Sequence, residues 1–105
     1  MDKMPGLGDM AGMLKQLRQV QGDLVKAQKE LAKETVAGEA GKGAVKATVT
    51  GDQRVVDLVI DPGLLSAGNH DRLHELLVEA LNNALNESRE LAKKRLDPLT
   101  GGLGL

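Results

Sequence analysis

Residues 9–34 read DMAGMLKQLRQVQGDLVKAQKELAKE, and their spacing of apolar side chains decides the architecture. Met10, Met13, Leu17, Val20, Leu24, Ala27 and Leu31 recur at alternating steps of three and four. That is a heptad seam held over about three heptads, so this stretch is a long helix. Lys15, Arg18, Lys26, Lys29 and Lys33 stand on the other side. At ~100° per residue they fall within roughly 80° of arc, nearly opposite the seam. A rod of this length spans roughly 37 Å at ~1.5 Å per residue. It offers an apolar seam to a partner helix and a basic stripe to something else.

Outward from this helix the pattern changes. Residues 1–8, with Pro5, Gly6 and Gly8, form a flexible lead-in, and Asp9 suits a helix N-cap and the helix dipole. Gly22 interrupts the helix at a cost of about 1 kcal/mol relative to Ala and is read as tolerated. Thr35, Val36 and Ala37 open a β-region, and Gly38, Gly41 and Gly43 crowd the next six residues into an expected turn. Residues 44–50 alternate, with Val45, Ala47 and Val49 on one face. Gly51-Asp52-Gln53 suits a hairpin connection. Residues 54–60 form a third strand, with Val56, Leu58 and Ile60 on one face and Val55, Asp57 and Val59 on the other. A strand apolar on both faces calls for cover on both, and in so short a chain a second copy can supply it.

Asp61-Pro62-Gly63 ends that strand, and Leu64 and Leu65 are expected to fold back on the core. Asn69 can cap a second helix that runs to about Leu96. Leu73, Leu76, Leu77, Ala80, Leu81, Ala84, Leu85, Leu91 and Ala92 give it a broad apolar stripe. Arg89, Lys93, Lys94 and Arg95 make its end basic, and Asp97-Pro98 is expected to stop it. The fold class is α+β: a long N-terminal helix, a three-stranded antiparallel sheet and a long C-terminal helix. The expected divisions are a lead at 1–8, one domain at 9–96 and a flexible tail at 97–105.

Composition narrows the function. A chain of 105 residues is one domain. It has no Phe, Tyr or Trp, so its core is aliphatic, oligomerisation is a reasonable way to gain buried area, and base stacking on aromatic rings is excluded. It has no Cys, which excludes disulfides and thiolate chemistry. No segment approaches the ~20 apolar residues of a membrane span, and the expected location is cytoplasmic. Net charge is −1, so binding to nucleic acid would rest on local patches.

No catalytic constellation emerges. The glycine segment lacks the spacing and the Ser or Thr of a phosphate loop, since Val36 and Gly43 occupy those places. His70 and His74 stand four apart on a helix without a third ligand and read as solvated. Asp57 and Asp61 are explained by a strand edge and an Asp-Pro turn. No enzyme, cofactor, metal site, small-molecule substrate or membrane partner is expected. The basic stripe alone reads as a solvated face. Antiparallel packing of the two long helices would bring Arg89, Lys93, Lys94 and Arg95 beside Lys15 and Arg18, concentrating six cations.

Three segments, taken in order, carry a resemblance: Gly38-Glu39-Ala40-Gly41-Lys42-Gly43-Ala44-Val45-Lys46-Ala47-Thr48-Val49-Thr50-Gly51, then Val59-Ile60-Asp61-Pro62, then Leu76-Leu77-Val78-Glu79-Ala80-Leu81-Asn82-Asn83-Ala84. With the preceding helix rich in Met, Gln, Leu and Lys, the chain resembles the YbaB/EbfC family of bacterial nucleoid-associated proteins from about Met10 to Leu96. The resemblance implies a tweezer-like homodimer joined through its sheet region, with projecting helices that bind double-stranded DNA. It implies a place at the nucleoid and a link to gene regulation. It transfers a region, the helical arms, onto Lys15, Arg18, Lys26, Lys29, Lys33, Arg89, Lys93, Lys94 and Arg95. The alternative is a protein-interaction module whose seam recruits a partner, with DNA association indirect.

Overall fold

In the computed structural model, residues 7–100 are described. Most of the lead-in expected at 1–8 lies outside them, as do residues 101–105 of the expected tail. The elements are α1 (Leu7–Leu31), β1 (Thr35–Ala40), β2 (Val45–Thr50), β3 (Val55–Ile60), a 3-10 turn (Pro62–Leu65) and α2 (His70–Thr100). The strands form one antiparallel sheet in the order β1-β2-β3, as expected for an α+β chain.

Alternation in β2 puts Val45, Ala47 and Val49 beneath α2, where all three are buried. On α2, the deepest residues are Leu76, Ala80, Ala84 and Ser88, a single ridge with a step of four. Leu77, Leu81 and Leu85 flank it, half-buried against the same core. The ridge is made mostly of small side chains, so helix and sheet approach closely.

Gly38 permits this approach. It lies inside β1, opposite Ala47, and the turn is confined to residues 41–44. This corrects the expectation of a turn beginning at Gly38. A Cβ on Gly38 would collide with the Ala84 backbone nitrogen and stand 2.7 Å from the Ala80 carbonyl oxygen. The turn itself is held by Gly41, Lys42 and Gly43, with φ of 64°, 58° and 88°. Three consecutive left-handed residues explain two of the glycines.

At β3 the register shifts. Thr48 pairs with Asp57, yet Val49 pairs with Val55, so Val55 and Val56 together oppose Val49. This bulge breaks the strict alternation expected for the strand. α2 packs chiefly on β1 and β2. Val55, Val56, Leu58 and Val59 are consequently exposed, and among the described residues β3 pairs along one edge only. Leu64 packs on the core as expected, but Leu65 is exposed. Asn69 precedes α2, and its side-chain amide donates to the Gly63 carbonyl at 2.9 Å.

The two long helices run antiparallel but overlap only in part. Ala27 and Leu31 of α1 are buried, whereas Met10, Met13, Leu14 and Leu17 are exposed. The seam therefore meets α2 only in its C-terminal part. α2 itself continues through Pro98 to Thr100, about one turn past the end expected near Leu96. Proline forfeits one backbone hydrogen bond there. Leu96 and Leu99 remain half-buried, lining clefts shared with Leu31 and Ala27 respectively, which offsets that loss. The described chain measures 80 × 22 × 16 Å, and none of its helices is long and apolar enough to cross a membrane.

Gly38→Ala should lower stability by about 3 kcal/mol, since the atoms in the way are backbone. Gly22→Ala meets nothing within 4 Å and should raise stability by about 0.5–1 kcal/mol. Paired thermal or urea unfolding of the two variants checks both signs.

Candidate nucleic-acid interface

The base of the helical pair is built where α1 ends. The Gly51 amide donates to the carbonyls of Leu31 and Glu34, each at 2.9 Å. Gly51 must be small, since a Cβ there would lie 2.8 Å from the Leu31 carbonyl oxygen. The buried Ser88 hydroxyl donates to the Thr50 carbonyl at 2.8 Å and ties α2 to the same corner. Nothing in the apolar pattern marked Ser88, although its step of four from Ala84 continues the ridge.

From this base the basic residues take two levels. Arg95 lies against α1: its Nη2 pairs with Glu34 Oε1, and its Nη1 lies 3.6 Å from Glu30 Oε2. One helical turn further, Leu99 shares a cleft with Asp23, Lys26 and Ala27. Lys93 and Lys94 therefore lie level with the end of α1, where Lys29 stands in the last turn and Lys33 just past it. Arg18 and Lys15 are about 8 and 12 Å beyond Asp23 at ~1.5 Å per residue, past the end of α2. The expected grouping of six cations is thus not formed. Antiparallel packing is present, but its register sets the basic end of α2 against residues 23–34, the last turns of α1 and the three residues after it.

Lys15, Arg18, Lys26, Lys29, Lys33, Arg89, Lys93 and Lys94 are exposed. Arg95 alone of the nine candidates is half-buried. Arg89 stands at the base of α2, where it donates to Asn86 Oδ1 at 2.6 Å and lines a cleft with Gln28, Asp52 and Gln53. Acidic partners of Arg95 were not singled out from the sequence. Glu30 stands in the last turn of α1 and Glu34 just past its end, joined by the Glu34 amide donating to the Glu30 carbonyl, but only the packing of α2 shows that Arg95 reaches both. His70 and His74 are exposed near the start of α2.

Such a surface, with exposed ammonium and guanidinium groups on projecting helices, suits a polyanion. The comparisons with known proteins agree. Residues 6–103 match the YbaB/EbfC DNA-binding family. A nucleoid-associated protein of Rhodococcus jostii is 41% identical over 99 residues, covering 94% of this chain and 88% of that protein. One from Pelodictyon phaeoclathratiforme is 40% identical over 100 residues, covering 95% and 86%. One from Streptomyces avermitilis is 42% identical over 103 residues, covering 96% and 91%. The crystal structure of an uncharacterized protein from Helicobacter pylori matches the fold with a TM-score of 0.65 at 18% identity, covering 95% of this chain and 98% of that one. A match across nearly the whole sequence, together with relatives at this level of identity, shows that the chain belongs to the YbaB/EbfC DNA-binding family.

Proposed function

We propose that the protein is a non-enzymatic, nucleoid-associated protein that binds double-stranded DNA as a tweezer-like homodimer. The observation that carries the reading is the set of exposed cations along two antiparallel helices that project from a small sheet. Phosphates meet Lys26, Lys29, Lys33, Lys93 and Lys94 near the base of each arm, Lys15 and Arg18 along its free end, and Arg89 beside the sheet. Phosphate contacts position a protein on a duplex and carry no sequence information directly, so the expected binding is tolerant of sequence. With net charge −1, attraction comes from the local field of the arms. The relatives' description as nucleoid-associated supports a place at the bacterial nucleoid, with DNA organisation and gene expression as the processes affected.

The dimer reading is supported by β3. Val55, Val56, Leu58 and Val59 are exposed on a strand whose outer edge is unpaired among the described residues. An exposed apolar edge strand is an aggregation hazard unless something covers it, and a second copy does so with closed symmetry. A single domain is retained as a proposal, but with wider bounds than the expected 9–96, since α1 begins at Leu7 and α2 runs to Thr100.

A second reading is favoured by the exposed Met10, Met13, Leu14 and Leu17, an apolar stripe on the free end of α1. It is a protein-interaction surface, with DNA association indirect.

Sedimentation of the purified protein at micromolar concentration should give a dimer, and a folded monomer there would contradict the β3 interface. Val56→Glu with Val59→Glu should weaken the dimer by roughly 100-fold or more. With about three of the exposed cations engaged on each arm, neutralisation of about six phosphates per dimer should give a slope near −5 in log affinity against log salt, measured on random and defined duplexes. Lys93→Glu with Lys94→Glu should abolish the shift of duplex DNA by purified protein. Binding that survives this charge reversal, or that ignores salt, would favour the second reading.

A further inference from the structure

Arg95 differs from the other basic residues of the arms. Its side chain is 39% exposed and spans two carboxylates at the end of α1, Glu30 at 52% in its last turn and Glu34 at 36% just beyond it. The second oxygen of Glu34 is buried without a hydrogen-bond partner among the described residues. Glu34 is also the residue whose carbonyl receives the Gly51 amide, and whose own amide donates to the Glu30 carbonyl at 3.1 Å. Arg95 therefore grips α1 where that helix is pinned to the sheet.

We infer that Arg95 is a positioning residue, which sets the angle of the α1 arm through Glu34 and Glu30 and does not itself bind phosphate. The reason is leverage. Among the residues of α1 whose burial is described, only Ala27 and Leu31 are fully buried, Val20 and Leu24 are half-buried, and Met10, Met13, Leu14 and Leu17 are uncovered. Lys15 lies 19 residues from Glu34, or about 28 Å at ~1.5 Å per residue. A tilt of about 10° at the base moves Lys15 by about 5 Å, more than the reach of a hydrogen bond. A guanidinium fork against two carboxylates one turn apart resists such a tilt in a way that one lysine cannot. The phosphate-binding cations need this constraint because neither arm helix has cover along its full length.

The inference rests on the DNA-binding reading for one of its two measurements only. Three proteins are compared: wild type, Arg95→Met, and Arg95→Met with Glu34→Leu. The double variant keeps the net charge of wild type and replaces the ion pair with an apolar contact, which commonly preserves packing. Amide hydrogen exchange over residues 24–34 should quicken about threefold or more in Arg95→Met and return toward wild type in the double variant. Unchanged exchange in Arg95→Met overturns the proposal whether or not the protein binds DNA. In DNA titrations, the double variant should keep the wild-type salt slope and affinity. A slope reduced by about 1.8 per dimer, one phosphate lost on each arm, would make Arg95 a phosphate ligand and overturn the proposal. If wild type fails to bind duplex DNA, the functional reading fails, and the exchange measurement alone decides the role of Arg95.

Discussion

The close approach of α2 to β1 at Gly38 is the constraint on which the rest depends. The ridge Leu76-Ala80-Ala84-Ser88 can lie flat on the sheet only because Gly38 and Ala47 present almost no side chain at the contact. A helix seated this low buries Val45 and Val49 completely with no aromatic residue in the chain. Small residues give up apolar area per side chain but recover it through dense packing. The same seating fixes the direction in which α2 leaves the sheet, and hence where its basic end lies.

The corner at Leu31, Glu34, Thr50, Gly51 and Ser88 turns that direction into an arm. Backbone bonds from Gly51 close the end of α1, and Ser88 holds α2 to the same hairpin. The Gly51 bonds satisfy carbonyls that the end of α1 would otherwise leave unpaired, and Ser88 is a second donor to the Thr50 carbonyl, which also accepts from the Gln53 amide. Beyond this corner the protomer has little tertiary packing. An isolated helix of such length is marginal in water, so the free part of α1 needs either its own propensity or a partner to persist. Its Met and Leu stripe and the exposed apolar face of β3 both point to assembly as part of the fold's stability.

Electrostatics on the arms is local and mixed. Asp23 and Glu30 stand among the lysines of α1 and Glu34 just past its end, and the two glutamates hold Arg95. The exposed lysines remain available to a polyanion, although the molecule carries almost no net charge. Attraction over a Debye length of about 8 Å at physiological salt depends on such near neighbours and not on the total.

The sequence by itself determined the element order, the apolar faces of α1, β2 and α2, and the family. These follow from periods of 3.6 and 2 and from an ordered run of residues, all of which are local properties of the chain. It also marked the nine cations of the arms. It did not show that Gly38 belongs to a strand, because a glycine needed for a close approach and a glycine needed for a turn are the same letter. It placed Val55 on the wrong footing, since a bulge adds a residue without changing composition. It could not supply the register of α1 against α2. That register follows from where the sheet seats each helix, and it decides that Arg95 meets Glu30 and Glu34 while Lys15 and Arg18 stand apart. Charge type is written in the sequence; which charges become neighbours is a matter of distance across elements, and only the tertiary structure decided it.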